Sequence, residues 1–264
     1  MRFSTFFLAG VAAFGLALPA AAETAAQKGF RIANQSANNE TGWRDLAVKG
    51  EMILYSANGN SSTRRFESRT VENANNSGSR SLLIFDWPGD IRNTALLTHS
   101  FDTAKDDQWL YLPAVRKVRR ISSSGRSGAF VGSEFAYEDM LDQNVNEFSH
   151  EWIRQAPCPN APGTCDVINR DPKGSSSYSI QTVWVDQQQR LTRMIQYFDR
   201  RGSHLKTLSV SQYRRFNGAY WRPMSMDMVN HLTGKRTRLN WSNYRFNVGV
   251  NPTNFTPNAL RNIR

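Results

Sequence analysis

Acidic residues are scarce in this chain: 22 Asp and Glu stand against 33 Lys and Arg, a formal net charge of +11 over 264 residues. So basic a surface draws anionic partners, among them nucleic acid, anionic lipid headgroups and lipopolysaccharide. Cysteine is scarcer still, with Cys158 and Cys165 bracketing the stretch PCPNAPGTC. Two thiols are too few for a structural metal site, and their spacing is wider than the C-x-x-C of redox catalysis. A disulfide closing a small loop in an oxidising compartment is the expectation. The four histidines, His99, His150, His204 and His231, fall in no H-E-x-x-H pattern, and DTAKDDQ lacks the spacing of a calcium loop. The nucleophile elbow G-x-S-x-G is missing too, the local order being Gly125-Arg126-Ser127-Gly128. A loop serine is far more often a turn residue than a nucleophile, so no catalytic group, metal or cofactor is expected. An envelope hydrolase using Ser127 stays open as a distant alternative.

The N-terminus supplies the compartment. Arg2, an apolar run from Phe6 to Leu18 and the small residues Ala20-Ala21-Ala22 read as a secretory signal cleaved near Ala22. Export to a periplasm sets nucleic acid aside as a partner. No later segment is apolar enough to span a bilayer, and without repeats or long linkers residues 23–264 read as one domain.

Beyond an amphipathic helix through Phe30 and Ile32, the pattern turns to alternation. In DLAVKGEMILY the residues Leu46, Val48, Met52 and Leu54 share one side, with Lys49 and Glu51 on the other. Asn58-Gly59 then marks a hairpin. About ten such strands, joined by short turns, describe one antiparallel sheet curled into a barrel or half-barrel. GSEFAYEDML breaks the rhythm and reads as a helix capped by Ser133, with Glu134 in its first turn.

Two stretches carry the candidate chemistry. In WLYLPAVRKVRRI, Trp109 and Tyr111 give a strand an aromatic side, and after Pro113 the cations Arg116, Lys117, Arg119 and Arg120 belong at a rim or edge. There they guard a strand edge or grip an acidic partner or an anionic membrane surface. In RPMSMDMVN, Met224, Met226 and Met228 alternate with Ser225 and Asp227, so a strand projects all three from one face. Flexible thioethers suit a wall that adapts to varied apolar ligands. With Trp109 and Tyr111 they are expected to line an apolar cavity, which Phe130, Val131, Phe135 and Tyr137 would face.

The run DDQWLYLPAVRKVRRISSSGRSGAFVGSEFAYEDM, with VWVDQQQRLTRMIQYFDRRGSHLKTL, GAYWRPMSMDMVN and FTPNALR, resembles the LolA-like outer-membrane lipoprotein-sorting family. The likeness is to its branch associated with RND-type exporters and covers nearly all of the chain after residue 22. It implies a mainly β fold, a curved half-open antiparallel barrel with a helical lid over an apolar face that takes acyl chains. The implied activity is a periplasmic carrier of lipid or lipoprotein serving an envelope transport system. An accessory or sensor subunit of an inner-membrane exporter is the alternative.

Overall fold

The computed structural model describes residues 22–39, 41–73 and 77–263, so the expected signal segment lies outside the described residues apart from Ala22. Helix α1 (Ala25–Asn38) opens on Thr24, which accepts from the Gln27 amide while the Gln27 side chain answers the Thr24 amide. Its apolar stripe is narrow, for Ile32 is buried and Phe30 stays exposed.

Six strands follow as a meander: β1 (Asp45–Tyr55), β2 (Ser61–Glu72), β3 (Gly78–Trp87), β4 (Ala95–Phe101), β5 (Asp107–Leu112) and β6 (Lys117–Arg120). A second meander holds β7 (Phe148–Pro157), β8 (Thr164–Pro172), β9 (Tyr178–Asp186), β10 (Thr192–Asp199) and β11 (His204–Ser211). A small hairpin follows, β12 (Arg214–Phe216) and β13 (Tyr220–Arg222), then the last strands β14 (Ser225–Asn230) and β15 (Arg236–Phe246). Strands β14 and β15 join the two meanders, giving a single antiparallel sheet of 13 strands in the order β6-β5-β4-β3-β2-β1-β15-β14-β11-β10-β9-β8-β7.

That order has a consequence for the shape. Strands β6 and β7 are consecutive in the chain yet form opposite edges of the sheet, so residues 121–147 must carry the backbone from one edge to the other. On a flat sheet with ~4.8 Å between strands the edges would stand roughly 58 Å apart. The linking segment is wound into short 3₁₀ turns, and a curled sheet brings its edges within its reach. The sheet is left unclosed, and this strap crosses its inner face.

The inner face carries the main core. Met52, Phe66, Leu83, Phe85, Ile168, Val183, Leu208, Met228 and Leu239 pack there with Ile32 of α1 and with Phe130 and Phe135 of the strap. Gly50 is needed here because the Phe66 ring lies across its Cα, where a Cβ would overlap the ring. The outer face of β3 to β6 holds a second cluster, in which Leu82, Leu97 and Tyr111 are covered by Phe255 and Leu260 of the C-terminal segment. His99 Nε2 fixes that segment by donating to the Phe255 carbonyl at 2.8 Å.

Two sequence expectations are corrected. Among the described residues there are 15 strands where about ten were expected, because β6, β7, β8 and β12 were missed and β13 and β14 were read as one. The edge strand β7 alternates in its first half, with Phe148, His150 and Trp152 less exposed than Ser149, Glu151 and Ile153, but it is mostly exposed and carries no aliphatic run. The segment after Gly132 is not an α-helix: Ser133 follows a 3₁₀ turn at Phe130–Gly132, and its hydroxyl accepts from the Phe135 amide at 3.2 Å. Glu134 serves the sheet, accepting from Asn230 Nδ2 at 2.7 Å. The expected cystine is present, Cys158–Cys165, closing the β7–β8 loop on the outer face beside Val167 and Trp184.

Candidate functional site

The strap presents its apolar residues through a small internal ladder. The Phe130 amide donates to the Phe135 carbonyl at 2.7 Å and the Tyr137 amide to the Gly128 carbonyl at 3.1 Å, so both phenylalanines drop into the sheet. Phe130 packs against Phe85, with ring centroids 5.8 Å apart, and edge-on to Tyr137. Neither Phe130 nor Phe135 exposes more than 1% of its surface.

Polar contacts, not strand pairing to the sheet, fasten the strap. At the β5 side Gln108 Nε2 donates to the Tyr137 carbonyl at 3.0 Å. Near the centre the Glu134 amide donates to Thr237 Oγ1 at 2.9 Å, and Arg64 donates to the Val131 carbonyl. Toward β9 the Glu138 carboxylate accepts from Ser176 Oγ at 2.7 Å and from the Ser177 amide at 3.2 Å. The tightest group is buried: Lys206 Nζ lies 2.6 Å from Asp139 Oδ2, with side-chain exposures of 5% and 3%. Asp139 Oδ1 also accepts from the Tyr178 hydroxyl at 2.9 Å, and the ammonium sits over the Tyr178 and Tyr197 rings at 5.0 and 5.2 Å. Burial first, and the Asp139 charge second, push both phenols far above their ordinary pKa.

The expected site residues divide among three places. Phe130, Phe135, Met226 and Met228 meet in the inner core, Met228 fully buried and Met226 half-buried against it. Met226 and Met228 stand opposite Leu239 and Thr237 of β15, on the inner side as the alternation required. Met224 precedes β14 and lies outside that core, half-buried, its carbonyl accepting from the Trp241 amide. Trp109 and Tyr111 face outward and pack under the C-terminal segment, so they share no wall with the methionines. Arg116, Lys117, Arg119 and Arg120 are all exposed, on or beside the edge strand β6, and Arg120 pairs with Asp107.

Sequence reasoning missed Lys206 and Arg64, and gave Asp139, beside Glu138, no more than a surface role. A signal existed for the first: in HLKTLSVS, Lys206 falls in phase with Leu208 and Val210, an inward position that an ammonium takes only with a partner. Ser127 Oγ donates to the Ser124 carbonyl at 3.1 Å. The histidines are engaged elsewhere, His99 with Phe255, His150 with Val145, and His204 and His231 with the Thr207 hydroxyl.

An unclosed antiparallel half-barrel whose apolar inner face is covered by a helix and a strap is the architecture of the LolA-like proteins. A crystal structure from Vibrio parahaemolyticus, of a domain assigned to outer membrane lipoprotein sorting, is 38% identical and superposes with a TM-score of 0.85. The match covers 89% of this chain and 99% of that one. A DUF1329 family protein from Desulfovibrio piger is 28% identical over 90% of this chain and 99% of its own, with a TM-score of 0.82. A LolA superfamily protein from Nitrosomonas europaea, at 17% identity over 88% of this chain and 98% of its own and a TM-score of 0.68, shares the fold. A family model described as an uncharacterized protein matches residues 77–262, and no curated protein matches. The chain belongs to the LolA-like outer-membrane lipoprotein-sorting family.

Proposed function

We propose that the protein is a non-enzymatic periplasmic carrier that takes lipid or lipoprotein acyl chains on the inner face of its half-barrel, in exchange for the strap, and serves an envelope transport system. The observation that carries this reading is the cover. Phe130 and Phe135 occupy an apolar face in the way a ligand would, on a segment held by side-chain hydrogen bonds and not by the sheet ladder. Each methylene of a chain that replaces them gains about 0.8 kcal/mol, so a chain of roughly a dozen carbons is needed to offset two re-exposed Phe side chains at ~1.5–3 kcal/mol each and several hydrogen bonds of ~1 kcal/mol.

The test is mass spectrometry of organic extracts from periplasmic protein, wild type and Met226→Asp. Co-purified acyl lipid in the wild type and its loss in the variant are expected, since an unpaired charge on the wall is costly. Extracts free of lipid would contradict the carrier reading. Ser225, on the opposite side of β14, is itself buried and so is unsuited as the control; exposed Lys49 serves instead.

The exposed cations of β6 favour a second reading, an accessory or sensor subunit docked to an RND-type exporter or an anionic membrane through that edge. Reversing Arg116, Lys117 and Arg119 should then abolish association at low salt, where exposed charges are least screened. Association that survives the reversal leaves these residues as guards of the strand edge.

A further inference from the structure

Where the strap meets the β1–β2 and β14–β15 turns, an open cleft of about 320 Å³ lies between Tyr55, Ser61 and Ser62 on one side and Gly132, Lys235 and Thr237 on the other. Its wall also includes Leu54, which packs against the main core. The cleft therefore has a polar mouth and an apolar inner end.

Its charge is mostly cationic. Ser62 and Arg64 stand opposite Leu54 and Met52 of β1, so both face inward; Ser62 lines the cleft, and Arg64 lies behind its wall, its guanidinium 3.8 Å from where a Cβ on Gly132 would stand. The guanidinium is half-buried, and that burial lowers its pKa; it donates to the Val131 carbonyl, while Asp90 acts on it from beyond ion-pair distance. Lys235 is exposed at the rim, with no carboxylate bound to it among the described residues. Arg236 stacks over Tyr55 and shares the Asp227 carboxylate with Arg238. Glu134, the acidic side chain of the wall, accepts from the neutral Asn230 amide at 2.7 Å, and its charge is outnumbered by those of Lys235 and Arg236. A half-buried fork and an ammonium flanked by serine hydroxyls present the donors that a phosphate group takes.

The strap is strained at the same point. Val131 has φ 45 and ψ 44, a left-handed conformation that a β-branched residue rarely adopts, and Gly132 beside it has φ 72. An anion drawing Arg64 away from the Val131 carbonyl would release the strap where it is least comfortable.

We propose that this cleft is a headgroup site for amphiphiles carrying a phosphate group, held by Arg64 and Lys235, with the acyl chain passing inward beside Leu54. The inference rests on the carrier reading and adds the chemical class of the cargo.

Calorimetric titration of the full protein separates the two. The probes are dodecyl phosphate and dodecyl maltoside, each below its micelle concentration, and inorganic phosphate. At least tenfold tighter binding of dodecyl phosphate than of either other probe is expected. Lys235→Glu should remove that preference and leave dodecyl maltoside unchanged, and Arg64→Gln should do the same from behind the wall. Equal binding of the two amphiphiles overturns the headgroup site and leaves the carrier standing, whereas binding of neither overturns both. Inorganic phosphate binding as tightly as dodecyl phosphate would make this a free-anion site and overturn the amphiphile assignment. A phosphate preference that both variants keep would place the anion elsewhere and overturn the role of Arg64 and Lys235.

Discussion

Replacing Lys206 with Met should unfasten the strap. The lysine is almost fully enclosed, its Nζ 2.6 Å from Asp139 Oδ2 and 3.2 Å from the Glu134 carbonyl. Methionine fills nearly the same volume, so little packing is lost, but the Asp139 carboxylate stays at 3% side-chain exposure with only the Tyr178 hydroxyl and the Ala136 amide to bind it. Breaking a buried pair by removing one partner costs about 3–5 kcal/mol. Much of that should appear as local opening of the strap, since sheet pairing on both sides of Lys206 is untouched. Urea unfolding gives the global loss, and amide exchange over residues 128–142 gives the local one. A cycle with Asp139→Asn should show coupling well above the ~0.2–1 kcal/mol of an exposed pair. A loss below ~1 kcal/mol for Lys206→Met, with the strap still protected, would refute the argument that this pair fastens the cover.

Three further outcomes follow from the packing. Gly50→Ala drives a Cβ into the Phe66 ring and should destabilise by about 1–3 kcal/mol in urea unfolding; a neutral result would mean that Phe66 is free to move aside. Burial, against the opposing Phe101 amide, raises Asp106 to about 7, so its contribution to stability is full below pH ~4 and is lost as pH rises to about 7. Asp106→Asn should accordingly gain in unfolding temperature relative to wild type between pH 4 and 7, and a gain that grows toward low pH would reverse the sign. Reducing Cys158–Cys165 should lower stability by roughly 2–3 kcal/mol, read as a shift of the urea midpoint, because it reopens a short loop.

What the sequence showed depended on whether one physical constraint acted alone. Across Val48 to Met52 of β1 buried and more exposed positions alternate as the sequence does, and in β14 alternation put Met226 and Met228 on the inner side, although Ala47 and Ser225 on the opposite sides are buried as well. Trp109 and Tyr111 also alternate cleanly, but β5 is covered on both faces, and alternation cannot say which cover is which. The C-terminal segment that claims them arrives from residues 250–263, a contact with no local signal. The strap was legible as a break in rhythm and misread as a helix. Its conformation is set by partners on β2, β5, β9, β11 and β15, so local propensity had little to say. The Lys206–Asp139 pair joins residues 67 positions apart, and only the inward phase of the lysine hinted at it.

The central claim is that an acyl chain takes the place of the strap. Amide hydrogen exchange of the protein with and without a saturating dodecyl-chain amphiphile tests it directly. Faster exchange is expected, confined to residues 128–142, with the Phe130 and Tyr137 amides losing their protection while β1, β2, β14 and β15 keep theirs. Bound amphiphile with an unchanged strap would contradict it.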